Sequence, residues 1–434
     1  MKTSDPTAAL AIVAGFRTPF CKASGALQGA SAADLATQVF REVLDRTAID
    51  PRTIDEVILG CAGPEAREAN VARVAALRAG LSQSTPAVTV MRNCASGMEA
   101  VLAAQHRMLA GEGEVFLVGG AESMSNFPLL MGPDLVRFFQ RLGKARSAFQ
   151  RVRALASFRF RSLKPRIAVV EGLTDPITGL MMGNTAEKVA QLFGIDRTAM
   201  DGFALQSHQR AAAAQQGNHF AHEMVPFVPP PHYRAAVVAD DGVRTEQTLQ
   251  ALAKLKPVFD RHEGDVTVGN SCQVTDGAVA LLCMSAAKAK SLGLQPLAVI
   301  RGHATAGLSP ATMGLGPVHA TPTALLRAGI GLRDLDLVEI NEAFAAQVLA
   351  CLRAFADADY CRREVGVPDA IGAIDPAILN VNGGAIALGH PIAATGARLL
   401  LTLAHTLRQR GKRYGLATLC IGGGQGQAVV LEAA

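Results

Sequence analysis

Four short stretches place reactive side chains where a strand hands over to a turn or helix. Cys94 follows the apolar run AVTVM (87–91) through Arg92 and Asn93. It precedes ASGMEAVLAAQHRML (95–109), a helix pattern, so its sulfur is expected at a helix N-terminus. Free backbone N–H groups there carry partial positive charge, which lowers a thiol pKa and favours the nucleophilic thiolate. The alternative is a buried core cysteine, since free Cys is among the most buried residue types. His390 lies in NGGAIALGHPIAATGARLLL (382–401), where glycines free the backbone and Pro391 suits a first helical position. An imidazole there is a candidate base for the thiol, against the commoner structural role of a lone His. Cys420 closes YGLATL and is followed by IGGGQGQAVVLE, whose backbone N–H groups suit an oxyanion hole beside a second, proton-shuttling thiol. The same turn reads poorly as a phosphate loop, because it lacks the P-loop Lys and opens no G-x-G-x-x-G helix. Asn341, in VEINEAFAAQVLA (338–350), is either an N-cap or a holder of water near a carbonyl oxygen. Its neighbour Glu342 either orients the surroundings or is an exposed helix carboxylate.

Elements that bring these stretches together are expected from a repeated layout. AIVAGFRTPF (11–20) resembles AVIRGHATAG (298–307) as an opening strand, and IDEVILG (54–60) is echoed by TALLRAGIGLRDLDLVEI (323–340). The stretches 88–120 and 378–420 each read as strand, Gly- or Ala-rich turn, helix and strand. Strand-length apolar runs alternating with helical patterns predict βαβ units and a largely parallel, buried sheet. The Cys94 and His390 turns occupy corresponding places in the two copies. Three regions follow: 1–122, first part of an N-terminal half; 123–290, a long loop or cap excursion over that half; and 291–434, the C-terminal half. Within the excursion, Leu135, Phe138, Phe139, Leu142, Phe149, Val152 and Leu155 recur near a 3.5-residue spacing, with Arg and Lys between them. This predicts a basic amphipathic helix or hairpin, either a solvated face or a surface for a membrane or partner.

A chain of 434 residues with 49% hydrophobic and 18% charged side chains has enough apolar surface for large cores and is no disordered or small disulfide-stapled protein. Residues 135–170 hold ten Lys and Arg and no acidic residue. The total charge is +5, so the remainder is net acidic and a general nucleic-acid surface is not expected. The eight cysteines form no C-x-x-C pair and no zinc-type spacing with His, so neither a metal site nor a disulfide framework is expected. The start reads as no secretory or transit signal, no apolar run is long enough to span a bilayer, and the LEAA end is no peroxisomal signal. A cytoplasmic location is the expectation.

The motifs NCASGMEA around Cys94, NEAF (341–344), GHPIAATGAR (389–398) and CIGGGQG (420–426) together resemble the thiolase family. GGAESMSNFP (119–128), MGNTAE (182–187), GNSCQVTDGA (269–278) and MGLGP (313–317) extend the resemblance over nearly the whole chain. The insertion with SFRFRSLKP (157–165) is similar to the β subunit of fatty-acid-oxidation trifunctional complexes, where the Asn of NEAF is often His. The resemblance implies an α/β thiolase fold, two βαβαβαββ-type halves forming a five-layered αβαβα core. It also implies cleavage of a 3-ketoacyl-CoA by Cys94, with His390 accepting the proton, backbone N–H groups of Cys94 and Gly422 holding the oxyanion, and Asn341 holding a water. Cys420 would protonate the departing acetyl-CoA carbanion. No metal or prosthetic group is implied, CoA being a co-substrate. By motif position Arg244 and Thr248 would meet the nucleotide end of CoA, Met182, Phe259 and Phe344 would line the pantetheine tunnel, and Met313 would close the acyl end. Cys272 stands where many thiolases have Ser, and Met181 where many short-chain thiolases have His, which favours a roomier acyl pocket. A homodimer or tetramer is implied, with a hydratase–dehydrogenase α subunit as a further partner. Condensation to acetoacetyl-CoA, a decarboxylating β-ketoacyl synthase, and a docking subunit are the competing readings. The second thiol and the single GHP weigh against the synthase.

Overall fold

The computed structural model describes residues 9–434. Strands β1 (Leu10–Arg17), β2 (Glu56–Gly60), β3 (Ala87–Val90), β4 (Val115–Ser123) and β5 (Thr275–Ser285) form the sheet of the first half. The second half has β6 (Ala298–Gly307), β7 (Leu337–Ile340), β8 (Tyr414–Ile421) and β9 (Gln425–Ala433). With Cys21–Lys22 paired to β5, they make one ten-stranded sheet in the order β7-β8-β9-β6-β1-β5-β4-β2-β3. The halves join where Ala11 pairs with Val299 and Ile12 with Ala298.

The expected parallel sheet is corrected to a mixed one. β2 is parallel to β3 and β4, and β7 to β8. The long pairs β4–β5, β5–β1, β8–β9 and β9–β6 are antiparallel. Every residue of β4 is buried, and a strand covered on both faces has an unbroken apolar sequence whichever way its neighbour runs. The Gly-rich turn 422–424 joins β8 directly to β9, which only antiparallel strands permit.

Helices α1 (Ala32–Thr47) and α2 (Val71–Arg78) cover the outer face of the first sheet. Leu35, Val39, Phe40 and Val43 recur at three- and four-residue spacing on the buried stripe of α1, and Ser31 and Asp34 close its start as a capping box. Helix α3 (Ser96–Ala110) belongs to the central layer. The excursion contributes α4 (Pro133–Lys144), α5 (Ala148–Ala156), α6 (Met182–Phe193) and α7 (Arg197–Gln216). The second half adds α8 (Gly316–Ala328) and α9 (Ala345–Ala356), which form the other outer layer, and α10 (Ile392–Arg410), which lies beside α3 between the sheets. Helix α10 is buried nearly all round, as a helix between two sheets must be. The result is five layers, αβαβα.

The excursion covers more than the first half, contrary to the sequence reading. Helix α6 packs on α9, and α7 on both α9 and the short helix Ala385–Leu388, all in the second half. Arg17 of β1 fastens its return: its buried guanidinium donates to Glu223 at 2.6 Å and to both carboxylate oxygens of Asp240 at 2.7 and 2.9 Å. Glu223 also accepts from the Thr402 hydroxyl of α10 at 2.9 Å. Helices α4 and α5 stand apart as a hairpin on a stalk formed by Leu129–Leu130 paired with Arg166–Ile167.

Candidate active site

Cys94 occupies a tight turn (Asn93–Ala95) between β3 and α3. Asn93 takes a left-handed φ of 44° and donates its side-chain amide to the Gly422 carbonyl at 2.8 Å, which draws the β8–β9 turn over the sulfur. Burial raises the Cys94 thiol above its ordinary value; the backbone N–H groups of Gly422 and Cys94 pull it down, and the nearby Glu122 opposes them. The expected low thiol pKa is therefore corrected: desolvation outweighs the helix-start donors in the free protein. Those same two N–H groups lie beside the sulfur, the region in which the oxyanion of an acyl group attached there would form.

His390 precedes α10 and is buried. Its Nδ1 lies 2.7 Å from the Thr395 hydroxyl, which donates its own proton to the Pro391 carbonyl at 3.0 Å. The Thr395 hydroxyl has one proton to give, so Nδ1–H donates and Nε2 carries the lone pair. That Nε2 is buried without a hydrogen-bond partner. Burial, reinforced by Arg398, lowers the imidazole pKa to about 4 and keeps it neutral at physiological pH. Gly389, with φ 99°, sets up this turn, and a Cβ there would lie 2.6 Å from the Thr275 hydroxyl that accepts the His390 backbone N–H.

Asn341 is not an N-cap, because the helix that follows starts at Ala345 behind Phe344. Its backbone N–H donates to Thr418, while both atoms of its fully buried side-chain amide lack partners. Such groups are costly to leave unpaired and mark where a water or ligand atom belongs. Cys420, at the end of β8, is buried; desolvation pushes its thiol well above the ordinary range, and Cys94, Cys351 and Cys272 act in the same direction. Cys272 is likewise raised to about 12 by burial and then by Cys94. The structure therefore gathers Cys94, Cys272 and Cys420 around one centre.

Two carboxylates support it. Glu342 is buried rather than helix-exposed, accepting from Ser207, Asn380 and the Ile386 N–H, and so locks the NEAF turn against α7 and the glycine segment. Glu122, which the sequence reading passed over, accepts from the Ala62, Gly63 and Ala393 N–H groups and from Cys61. It is held near 7 by burial against those donors. A lone Glu inside the apolar strand VFLVGGAES was the signal for it.

A cavity of about 300 Å³ opens over Cys94, with Asn93, Met182, Gly422 and Gly423 on one side. Phe127, Val169, Leu173 and Ile177 form an apolar wall that the sequence reading did not anticipate. Met182, Phe259, Phe344 and Cys420 pack in a single cluster, the Phe259 and Phe344 rings edge to face at 5.9 Å. Met313 is buried in that same cluster with Ala343, Ala345 and Ala346. Arg244 is exposed, its N–H donating to His208; Thr248 is exposed and caps the helix Leu249–Ala253 through Ala251.

A doubled five-layer α/β fold with a thiol, an unprotonated imidazole nitrogen and paired backbone donors at its seam defines an acyltransferase of the thiolase fold. The chain matches the thiolase N-terminal domain over residues 10–287 and the thiolase C-terminal domain over 294–433. It is 43% identical to a 3-ketoacyl-CoA thiolase of Yersinia pestis over 425 residues, 98% of this chain and 96% of that one. The acetyl-CoA acetyltransferase of Bacillus anthracis superposes with a TM-score of 0.85 at 37% identity, covering 98% of this chain and 99% of that one. Human mitochondrial 3-ketoacyl-CoA thiolase, in complex with CoA, superposes with 0.84 at 36%, covering 98% of both chains. The chain belongs to the thiolase family.

Proposed function

We propose that the chain is a 3-ketoacyl-CoA thiolase that works through a Cys94 acyl-enzyme. The observation that carries this reading is a Cys94 sulfur beside the Cys94 and Gly422 N–H groups at the floor of a cavity, on a turn packed against α10, the helix that follows the buried, partnerless His390 Nε2. The Cys94 sulfur attacks the 3-keto carbon while its proton passes to His390 Nε2, and the resulting oxyanion is held by the two N–H groups. Breaking the bond between C2 and C3 leaves the acyl group on sulfur and the acetyl-CoA enolate. The enolate oxygen is stabilised by the His390 Nε2–H and by a water on the unpaired Asn341 amide, and Cys420 donates a proton to its carbon. The Cys420 thiolate then takes the proton of an incoming CoA thiol, whose sulfur removes the acyl group from Cys94. CoA is a co-substrate: Met182, Phe259 and Phe344 flank its pantetheine arm, Cys272 lies by the thioester, and Arg244 and Thr248 stand at its nucleotide end. The apolar wall of Phe127, Val169, Leu173 and Ile177 supports a substrate with an extended acyl chain over acetoacetyl-CoA.

CoA-dependent loss of short- and long-chain 3-ketoacyl-CoA tests this reading. Cys94→Ala is expected to abolish turnover, and Asn341→Ala to lower kcat about 10²-fold, the usual effect of losing one oxyanion donor. Turnover unchanged by Cys94→Ala overturns the mechanism, and a preference for acetoacetyl-CoA overturns the substrate class. The chain works as a dimer in this reading. Strand β3 is the outer edge of the sheet, none of its residues is fully buried, and Met91 beside it is 65% exposed.

A further inference from the structure

Glu122 takes no step in the chemistry above, yet it lies near Cys94 and is wholly buried. Among the described residues it has no cationic partner. The Ala62 and Ala393 N–H groups donate to its Oε2 at 3.1 and 3.2 Å, and the Gly63 N–H donates to Oε1 at 2.9 Å beside the Cys61 thiol. A carboxylate in a core is costly unless donors fill its oxygens, so these donors set its place. Oε2 spans the two halves of the molecule: Ala62 follows β2, and Ala393 sits in the first turn of α10.

Both partners of that oxygen lead to the reacting groups. Helix α10 has no side-chain cap from its own segment at Pro391. Glu122 fills that role from the other half, accepting an N–H that a helix start leaves without an intrahelical partner. Two residues earlier on the same face of β4, Gly120 admits the Ala393 carbonyl, which would lie 2.0 Å from a Cβ there. Ala393 is thus held at its N–H and at its carbonyl. The same first turn carries Thr395, the hydroxyl partner of His390 Nδ1. Ala62 and Ile392 line the cavity over Cys94, and the Phe127 ring of its wall rests so close to Gly63 that a Cβ there would come within 2.2 Å of it. We propose that Glu122 is a positioning residue of the reaction: its shared oxygen fixes the first turn of α10 against the first half and so holds the His390 turn against the Cys94 turn. The proposal rests on the Cys94–His390 reading given above.

The test joins hydrogen exchange at residue resolution with steady-state thiolysis of a 3-ketoacyl-CoA by the full-length chain. In the unmodified chain the Ala393 amide is expected to exchange as slowly as the amides of the α10 interior, a result that needs no variant to fold. Glu122→Met keeps the length of the side chain and removes both acceptors. It should speed exchange at Ala393 at least about tenfold while residues 399–407 stay protected. Its kcat should fall about 10²-fold, the cost of misplacing reacting groups by about 1 Å, with KM within about threefold of the unmodified value. Glu122→Gln keeps one oxygen for the Ala62 and Ala393 N–H groups and should bring kcat back to within about tenfold of the unmodified chain. Fast exchange at Ala393 in the unmodified chain overturns the proposal. So do an unchanged kcat in Glu122→Met, a rise in KM as large as the fall in kcat, and a Gln variant no better than the Met one. Absence of Cys94-dependent thiolysis in the unmodified chain overturns the reading beneath it, whereas any of the other results beside normal thiolysis overturns this proposal alone.

Discussion

At the scale of single residues, the nucleophile and base are kept apart from their ordinary titration in opposite senses. Burial raises the Cys94 thiol above 9.0 and lowers the His390 imidazole to about 4, so the resting pair is neutral on both sides across physiological pH. Alkylation of Cys94 by iodoacetamide, followed on its own peptide by mass spectrometry, should accelerate with pH through and beyond 9.0. A plateau near neutrality would show a depressed thiol pKa and remove desolvation as the dominant influence. In that pH range His390 is already deprotonated, so its ionisation contributes no inflection. Cys94, His390, Asn341 and Cys420 were all readable as candidates because each follows a strand-like run and meets a turn or helix. Glu122 was marked only as a lone carboxylate in an apolar strand, with nothing to show what it holds, and the buried setting of Glu342 was not readable. Their partners at 62–63, 393, 207 and 380 are distant in sequence, and no local pattern announces such long-range satisfaction.

At the scale of elements, alternation of short apolar runs and helical patterns revealed the two copies and the amphipathic basic hairpin. Strand direction stayed hidden, since β5 reaches β4 only after an excursion of about 150 residues, and two-sided burial erases the alternation that marks most antiparallel strands. The wall formed by 169–177 was hidden for the same reason: it is shaped by the fold-back of the stalk. Arg17 shows how the excursion is held. Replacing it with Met leaves Asp240 and Glu223 buried without their cation, a loss of about 3–5 kcal/mol for a broken buried pair. Urea unfolding should show this as a lower midpoint. A change below about 1 kcal/mol, the range of an exposed pair, would mean that the return of the excursion is anchored elsewhere.

At the scale of the whole molecule, the two sheet edges differ. The β7 edge is buried and closed by a bridge from Val338 to Leu379, while β3 offers free backbone groups on the opposite side. An open edge of this kind invites pairing with another chain. Light scattering should give about twice the chain mass of 45.3 kDa at micromolar concentration, and a monomer would remove the β3 edge as an interface. The seam between the halves has a different character. A Cβ on Gly97 of α3 would lie 2.6 Å from the Ala393 carbonyl, and one on Gly396 of α10 would lie 2.7 Å from the Met98 nitrogen. The two helices rest backbone on backbone, like machined faces bolted without a gasket. The separation of the Cys94 turn from the His390 turn thus rests on this peptide-to-peptide seat, and even one added methyl there would act as a shim, shifting the reacting groups relative to one another without removing any of them.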